Sequence, residues 1–213
     1  MAAPSTSSTR PDRRQQRRDA KLAAILAEAW RLARRDGLAA ISLRDLADAV
    51  GLRQPSLYVY FASKADLYDA MFADGYRQML DFIRTRRYGD EPRRALRKFV
   101  GACVQFSSDD VVRHQLLLQR TIPGFEPSEA SFRLALEFYE FGRTMTEAAG
   151  IRTQAEMDIF TALVTGLAHQ QVANDPGGRR WVRLAAPVVD MFIADVERRR
   201  QSTTGTKTKR RTS

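Results

Sequence analysis

One cysteine, Cys103, stands in the whole chain, so no internal disulfide can form and no cysteine-based zinc site can be assembled. Histidine is almost as scarce, with only His114 and His169. No acids cluster at metal-ligand spacing, and no glycine-rich phosphate loop is present. These gaps remove the usual means of metal, nucleophilic and phosphoryl chemistry. No catalytic residue, metal or cofactor is therefore expected, and the chain reads as something other than an enzyme. Long apolar runs are also missing: nothing approaches the roughly 18 uninterrupted apolar residues of a membrane span. The opening Met-Ala-Ala-Pro-Ser-Thr-Ser-Ser-Thr-Arg lacks the apolar core of a secretory signal. The expected location is the cytoplasm.

What is present is a globular composition, 44% hydrophobic and 28% charged over 213 residues. The formal net charge of +10 is unevenly placed. Residues 1–90 carry +5, residues 91–196 carry −1 and residues 197–213 carry +6. The excess avoids the middle of the chain and gathers at its two ends. That is the footprint of a nucleic-acid binder, although basic tails also serve solubility.

Residues 41–64 organise the rest. Ser42 is suited to cap a helix, with Asp45 three residues on in the capping-box position. Ile41 and Leu46 fit a hydrophobic staple, and Leu43, Leu46, Ala47 and Val50 share one helical face. Gly51 marks the exit through a left-handed conformation. A second helix opens near Arg53, with Pro55 in its first turn, where a missing N–H costs little. Leu52 and Leu57 hold it to the first helix. The pattern predicts a helix-turn-helix. Its second helix offers Arg53, Gln54, Ser56, Tyr58 and Tyr60, all compact enough for a major groove. Arginine can bond two acceptors on guanine and glutamine can pair with adenine, while hydroxyls suit phosphate oxygens. Ser63 caps the next helix, and Lys64 at its N-terminus is placed where a phosphate would approach.

The run Ser42, Leu46, Ala47, Gly51, Pro55, Ser56, Leu57, Tyr58, Tyr60, Phe61, Ser63, Lys64 and Leu67 resembles the signature of the tetracycline-repressor (TetR-type) family of transcription regulators. The likeness is strong over residues 18–70. Beyond them it rests on length, helical pattern and a plausible dimerisation segment. It implies an all-α chain: an N-terminal three-helix DNA-binding domain, then a larger helical domain for ligand binding and dimerisation. It implies phosphate contacts for Ser42, Tyr58, Tyr60 and Lys64. Arg44, Arg53, Gln54 and Ser56 would face base edges. Many members carry Thr where Ser42 stands and His where Tyr60 stands, and both replacements keep a hydrogen-bonding group.

The expected organisation is a disordered basic arm over 1–17, a DNA-binding domain over 18–64, a ligand-binding and dimerisation domain over 65–200, and a disordered basic tail over 201–213. The start of the connecting helix would reach about residue 70. Arg10, Arg13, Arg14, Arg17 and Arg18 in the arm either touch DNA or remain solvated. A first helix starts near Asp19 and ends at Gly37; another runs from Lys64 to about Arg87. Helices follow over about 92–107, from a cap at Ser108 or Asp109, over 129–148, and from Thr153 to about Ala173. The last helix carries Trp181 and is expected to kink at Pro187.

The central helices are dense in phenylalanine, which suits either a ligand cavity or an ordinary core. The resemblance favours a cavity lined by Phe99, Cys103, Phe106 and Leu117, with Phe125, Phe138 and Tyr139. The lack of charged groups among them suggests a largely apolar effector. His169 either bonds that ligand or is a satisfied structural histidine. The resemblance also implies a homodimer through the last two helices, with Ala162, Gly166, Trp181, Leu184, Val188 and Phe192 at the interface. Trp181 equally suits its own subunit's core. The reading is a ligand-responsive regulator, most simply a repressor, that leaves a near-palindromic operator when a small apolar molecule binds. A small helical enzyme and a nonspecific nucleic-acid binder are the alternatives.

Overall fold

The computed structural model describes residues 13–209. The described residues form helices and turns, with no strand among them. The chain divides into two compact units, with the boundary between Met71 and Phe72.

The first unit contains α1 (Arg13–Asp36), α2 (Leu43–Ala49), α3 (Gln54–Tyr58) and the start of α4 (Lys64–Arg84). Helix α1 buries Ile25, Leu26, Ala29, Trp30, Leu32 and Ala33. It ends at Gly37, whose φ of 87° suits a residue without Cβ. The Ser42 hydroxyl accepts from the Asp45 amide at 3.4 Å and caps α2. Gly51, at φ 66°, turns the chain toward α3. Ser63 and Asp66 form a reciprocal capping box at α4: the Asp66 amide donates to the Ser63 hydroxyl at 3.1 Å, and the Ser63 amide donates to the Asp66 carboxylate at 3.0 Å. Ile25, Leu46, Leu57 and Leu67 are fully buried and close a small core. The Tyr68 hydroxyl, buried, donates to the Leu38 carbonyl at 2.6 Å.

The second unit takes the rest of α4, then α5 (Pro92–Asp109), α6 (Val111–Leu118), α7 (Glu129–Ala148), α8 (Gln154–Asn174) and α9 (Ala185–Lys209). Helix α5 packs against α7, α8 and α9, and its Leu96, Phe99, Val100, Cys103 and Val104 supply the middle of the core. The Thr153–Glu156 capping box at α8 is present, and Arg200 of α9 reaches the Glu156 carboxylate at 2.9 Å. Gln171, completely buried, accepts from the Trp181 and Val182 amides at 2.8 and 3.2 Å and also bonds the Asp175 carbonyl. One amide side chain thereby satisfies the backbone of the turn that joins α8 to α9.

Several boundaries differ from the sequence expectation. Helix α1 begins at Arg13, so Arg13, Arg14, Arg17 and Arg18 lie on a helix and not in a disordered arm. Helix α9 continues to Lys209 through residues expected as a disordered tail. Both stretches lack an apolar stripe, which hides a helix from periodicity. The first is rich in Arg and Gln, which are good helix formers, whereas the second is mostly Ser, Thr and Gly and its propensity does not explain the helix. The arm residues 1–12, Arg10 included, and residues 210–213 lie outside the described residues. Helix α4 ends at Arg84, three residues early. Helix α5 absorbs Ser108 and Asp109, so the cap of α6 is Asp110, which accepts from the Arg113 amide at 3.1 Å. Trp181 precedes α9, and Pro187 falls in its first turn, where it breaks no hydrogen bond and imposes no kink.

Candidate nucleic-acid interface and ligand cavity

Helix α3 has one inward anchor and an outward polar surface. Leu57 is 1% exposed. Around it Arg53, Gln54 and Ser56 are exposed, as is Tyr58 at 46%. The Gln54 amide lies 3.5 Å from the Tyr58 hydroxyl, a long contact that leaves both groups able to bond elsewhere. Arg44 on α2 is exposed as well, and neither it nor Arg53 has an ion-pair partner among the described residues. Ser42 and Tyr60 are half-buried. Ser42 is engaged as the α2 cap, yet its hydroxyl hydrogen is still free to donate. Lys64 is half-buried, and its ammonium donates to the Ala39 carbonyl at 2.6 Å, beside the Tyr68 ring. Val59, 72% exposed at the end of α3, was not anticipated. An apolar side chain placed there suits a thymine methyl. An apolar residue between Tyr58 and Tyr60 was the available signal in the sequence.

In the second unit, a cavity of about 140 Å³ opens among α4, α5, α7 and α8 and the end of α6. Phe99, Cys103, Phe138 and Tyr139, four of the residues named for a ligand site from the sequence, are among those that line it. No charged side chain lines it. Burial pushes the Cys103 thiol up to about 12, so it stays neutral and serves as a small apolar group. The α8 side of the wall, with Met157, Phe160, Thr161, Val164 and Thr165, was not anticipated. Helix α8 is apolar or small on nearly every face, so spacing alone could not say which face turns inward.

Four expected lining residues lie elsewhere. Phe106 is core, with the Phe82 ring at 5.1 Å and the Arg113 guanidinium 3.7 Å over its own ring. Leu117 and Phe125 face a separate cleft of about 240 Å³ with Phe72, Tyr76 and Phe132. His169 is exposed, its Nδ1 2.7 Å from the Gln119 amide nitrogen. The same nitrogen lies 3.2 Å from Nε2 of His114, which is buried. Burial and the nearby His169 hold His114 below its ordinary value.

Of the expected interface residues, Ala162, Gly166 and Leu184 are exposed, and Val188 is half-buried. Trp181 is half-buried against its own core. Phe192 is 4% exposed and packs on Phe160 with ring centroids 5.3 Å apart. It belongs to the interior of its own chain, because position 192 faces α8 and not solvent. Ile159 and Met191, at 45% and 59%, are the large apolar groups left exposed on α8 and α9.

Residues 25–71 match the family described as bacterial regulatory proteins, tetR family. The chain carries a TetR-family regulatory domain. The match spans α1 from its first buried residue to the boundary of the first unit. Across the length of the chain, the fold agrees with solved structures of low sequence identity. A tetR-family transcriptional regulator from Streptomyces coelicolor is 18% identical, with a TM-score of 0.66 over 90% of this chain and 88% of that one. The TetR-family regulator PfmR from Thermus thermophilus is 20% identical, with a TM-score of 0.59 over 80% of this chain and 97% of its own. A TetR variant from Acinetobacter baumannii AYE, solved in complex with minocycline, is 21% identical, with a TM-score of 0.54 over 84% of this chain and 97% of that one. No curated protein matches the chain. Among the described residues, no helix is long and apolar enough to cross a membrane.

Proposed function

We propose that this TetR-type chain is a ligand-responsive repressor, which binds a near-palindromic operator as a homodimer and is released by a small, uncharged, largely apolar molecule. The observation that carries the DNA-reading part is α3, where Leu57 is anchored while Arg53, Gln54, Ser56 and Tyr58 point to solvent. Arg53, Gln54, Ser56 and Arg44 read base edges. Tyr58, Tyr60, Ser42 and Lys64 hold phosphates and fix the register. Two protomers present their α3 helices to successive major grooves, about one helical turn apart.

The effector reading is supported by the uncharged wall of the 140 Å³ cavity and by the minocycline bound to a structural relative. Its phenylalanine rings offer apolar contact, while Thr161 and Thr165 offer hydroxyls to orient a ligand. The dimer reading is supported by the small and apolar residues exposed on α8, on α9 and in the turn that joins them, namely Ile159, Ala162, Gly166, Leu184 and Met191. If effector and operator favour different states of one protein, each weakens the other's binding by the same factor.

The test is selection of duplexes from a random pool by the purified protein. Enrichment of a two-fold-symmetric sequence supports the reading, and equal recovery of all sequences overturns it. A thermal-shift screen of neutral apolar compounds then supplies effectors. Hits that stabilise the protein must also release the selected duplex.

A further inference from the structure

Helix α1 starts twelve residues ahead of the segment that matches the family, and those residues are basic. Arg13, Arg14, Arg17, Arg18 and Lys21 fall, at 3.6 residues per turn, within about 140° of the helix circumference. The four arginines are exposed. Asp19, the acid of this stretch, lies on the opposite side and accepts from Gln15 at 2.8 Å. The charges are thus sorted around the helix and not mixed for solubility.

Two further observations give the stripe a direction and a partner. Lys21, at its C-terminal end, donates to the Val50 carbonyl at 3.0 Å. That carbonyl lies at the C-terminus of α2, one residue before the Gly51 turn into α3. The stripe therefore runs out from the same edge of the first unit that holds the helix-turn-helix. No acid occupies the first turn of α1, so the arginines sit at the positive end of the helix dipole. That arrangement is unfavourable by itself and would be compensated by an anion alongside.

We infer that the N-terminal extension of α1 is a phosphate-contacting rail, which follows the backbone of duplex DNA beside the groove entered by α3. The inference rests on the proposed DNA-binding function and adds a second contact surface to it. A rail of this kind contributes affinity without sequence information, because phosphates are the same in every sequence.

The test compares the full chain with the triple variant Arg13→Gln, Arg17→Gln, Arg18→Gln. Glutamine keeps helix propensity close to that of arginine, and all three positions are exposed. The probe is a labelled duplex of mixed sequence, about three helical turns long, titrated between about 50 and 200 mM salt. The salt slope should fall by about 0.9 for each phosphate contact removed. Affinity should fall at least tenfold at the low-salt end, while the sequence preference in a random pool stays that of the parent. If the parent binds duplex DNA and the variant retains its slope and affinity, the rail is overturned while the α3 reading stands. If the parent binds no duplex under any of these conditions, the underlying reading fails first. Helical content by circular dichroism guards against an unfolded variant. Should the triple variant lose helix, the single variants Arg13→Gln and Arg17→Gln must each lower the slope, or the inference is wrong.

Discussion

The ammonium of Lys64 donates to the carbonyl of Ala39 at 2.6 Å, binding the first residue of α4 to the middle of the short turn Leu38–Ala40 before α2. A side chain assigned to phosphate by resemblance thus also joins two elements of its own unit. An ammonium has three protons, so one bond to Ala39 leaves two for a phosphate oxygen. Lys64→Ala should lose on both counts. It should lower folding stability by about 1 kcal/mol, the typical net worth of one such bond, and weaken all duplexes to a similar degree. Urea unfolding measures the first effect. An unchanged midpoint would mean that the Ala39 contact contributes nothing.

Gln54 and Tyr58 should separate base reading from backbone contact. Gln54→Ala should relax selection at one or two base pairs, worth about 1–3 kcal/mol of discrimination at the affected position. Tyr58→Phe should weaken binding evenly, because it removes only a hydroxyl proposed to meet phosphate. Selection from a random pool reads both. A Gln54→Ala protein with the parent's full preference would remove Gln54 from the reading set.

The first unit was the legible part of the chain, and the reason is local. Caps at Ser42 and Ser63, the left-handed glycine at Gly51 and the Leu57 anchor each act within a few residues, so spacing reveals them. Tertiary choices were not legible in the same way. Phe106 and Phe99 lie seven residues apart on α5, yet Phe99 borders the cavity while Phe106 packs against the tilted Phe82 ring and under Arg113. Nothing in their own segment separates them. Phe192 looked like an interface residue for the same reason, since an apolar helix facing its own core reads like one facing a partner. The buried amide of Gln171 was invisible because its partners, Trp181 and Val182, are fixed only once the turn closes.

His114 should make stability pH-dependent below neutrality. It is buried, and its Nδ1 has no hydrogen-bond partner. Burial, with the neighbouring His169 second, lowers its folded pKa from 6.5. The unfolded chain therefore takes up the proton first as pH falls, so the stability contributed by neutral His114 is complete above 6.5 and is lost as pH drops through the folded value. Protonation would also turn an N–H toward the Gln119 amide 3.2 Å away. Carboxylates titrate mostly below about 5, which isolates the window between about 5 and 6.5. Thermal unfolding across that window should show a fall in Tm that His114→Gln flattens. An equal slope in both proteins would assign the effect to other groups.

Cys103 should be unreactive in the folded protein. Burial raises its thiol from 9.0 to about 12, so almost no thiolate exists near neutral pH. A chromogenic disulfide reagent at pH 8 should react only as fast as the chain opens, and immediately in denaturant. The unfolded thiol ionises first as pH rises past 9, so the same group erodes stability in alkali. Prompt reaction of the native protein would mean that the cavity admits reagent to Cys103 directly.

Filling the cavity should uncouple the effector from DNA. Val164 lines the 140 Å³ space from α8 and is only partly buried, so a larger side chain has room to enter it. Val164→Phe should cost no more than about 1–3 kcal/mol, the usual range for overpacking, and should leave α3 and its salt dependence untouched. Compounds that raise the parent's Tm should then have no effect on the variant, and should no longer release the selected duplex from it. The two readouts must fall together, since reciprocal linkage allows no release without binding. If the variant still binds the compounds and still releases DNA, the effector occupies another site. The cleft between Phe72, Tyr76, Phe125 and Phe132 would be the next place to obstruct, through Phe132→Trp.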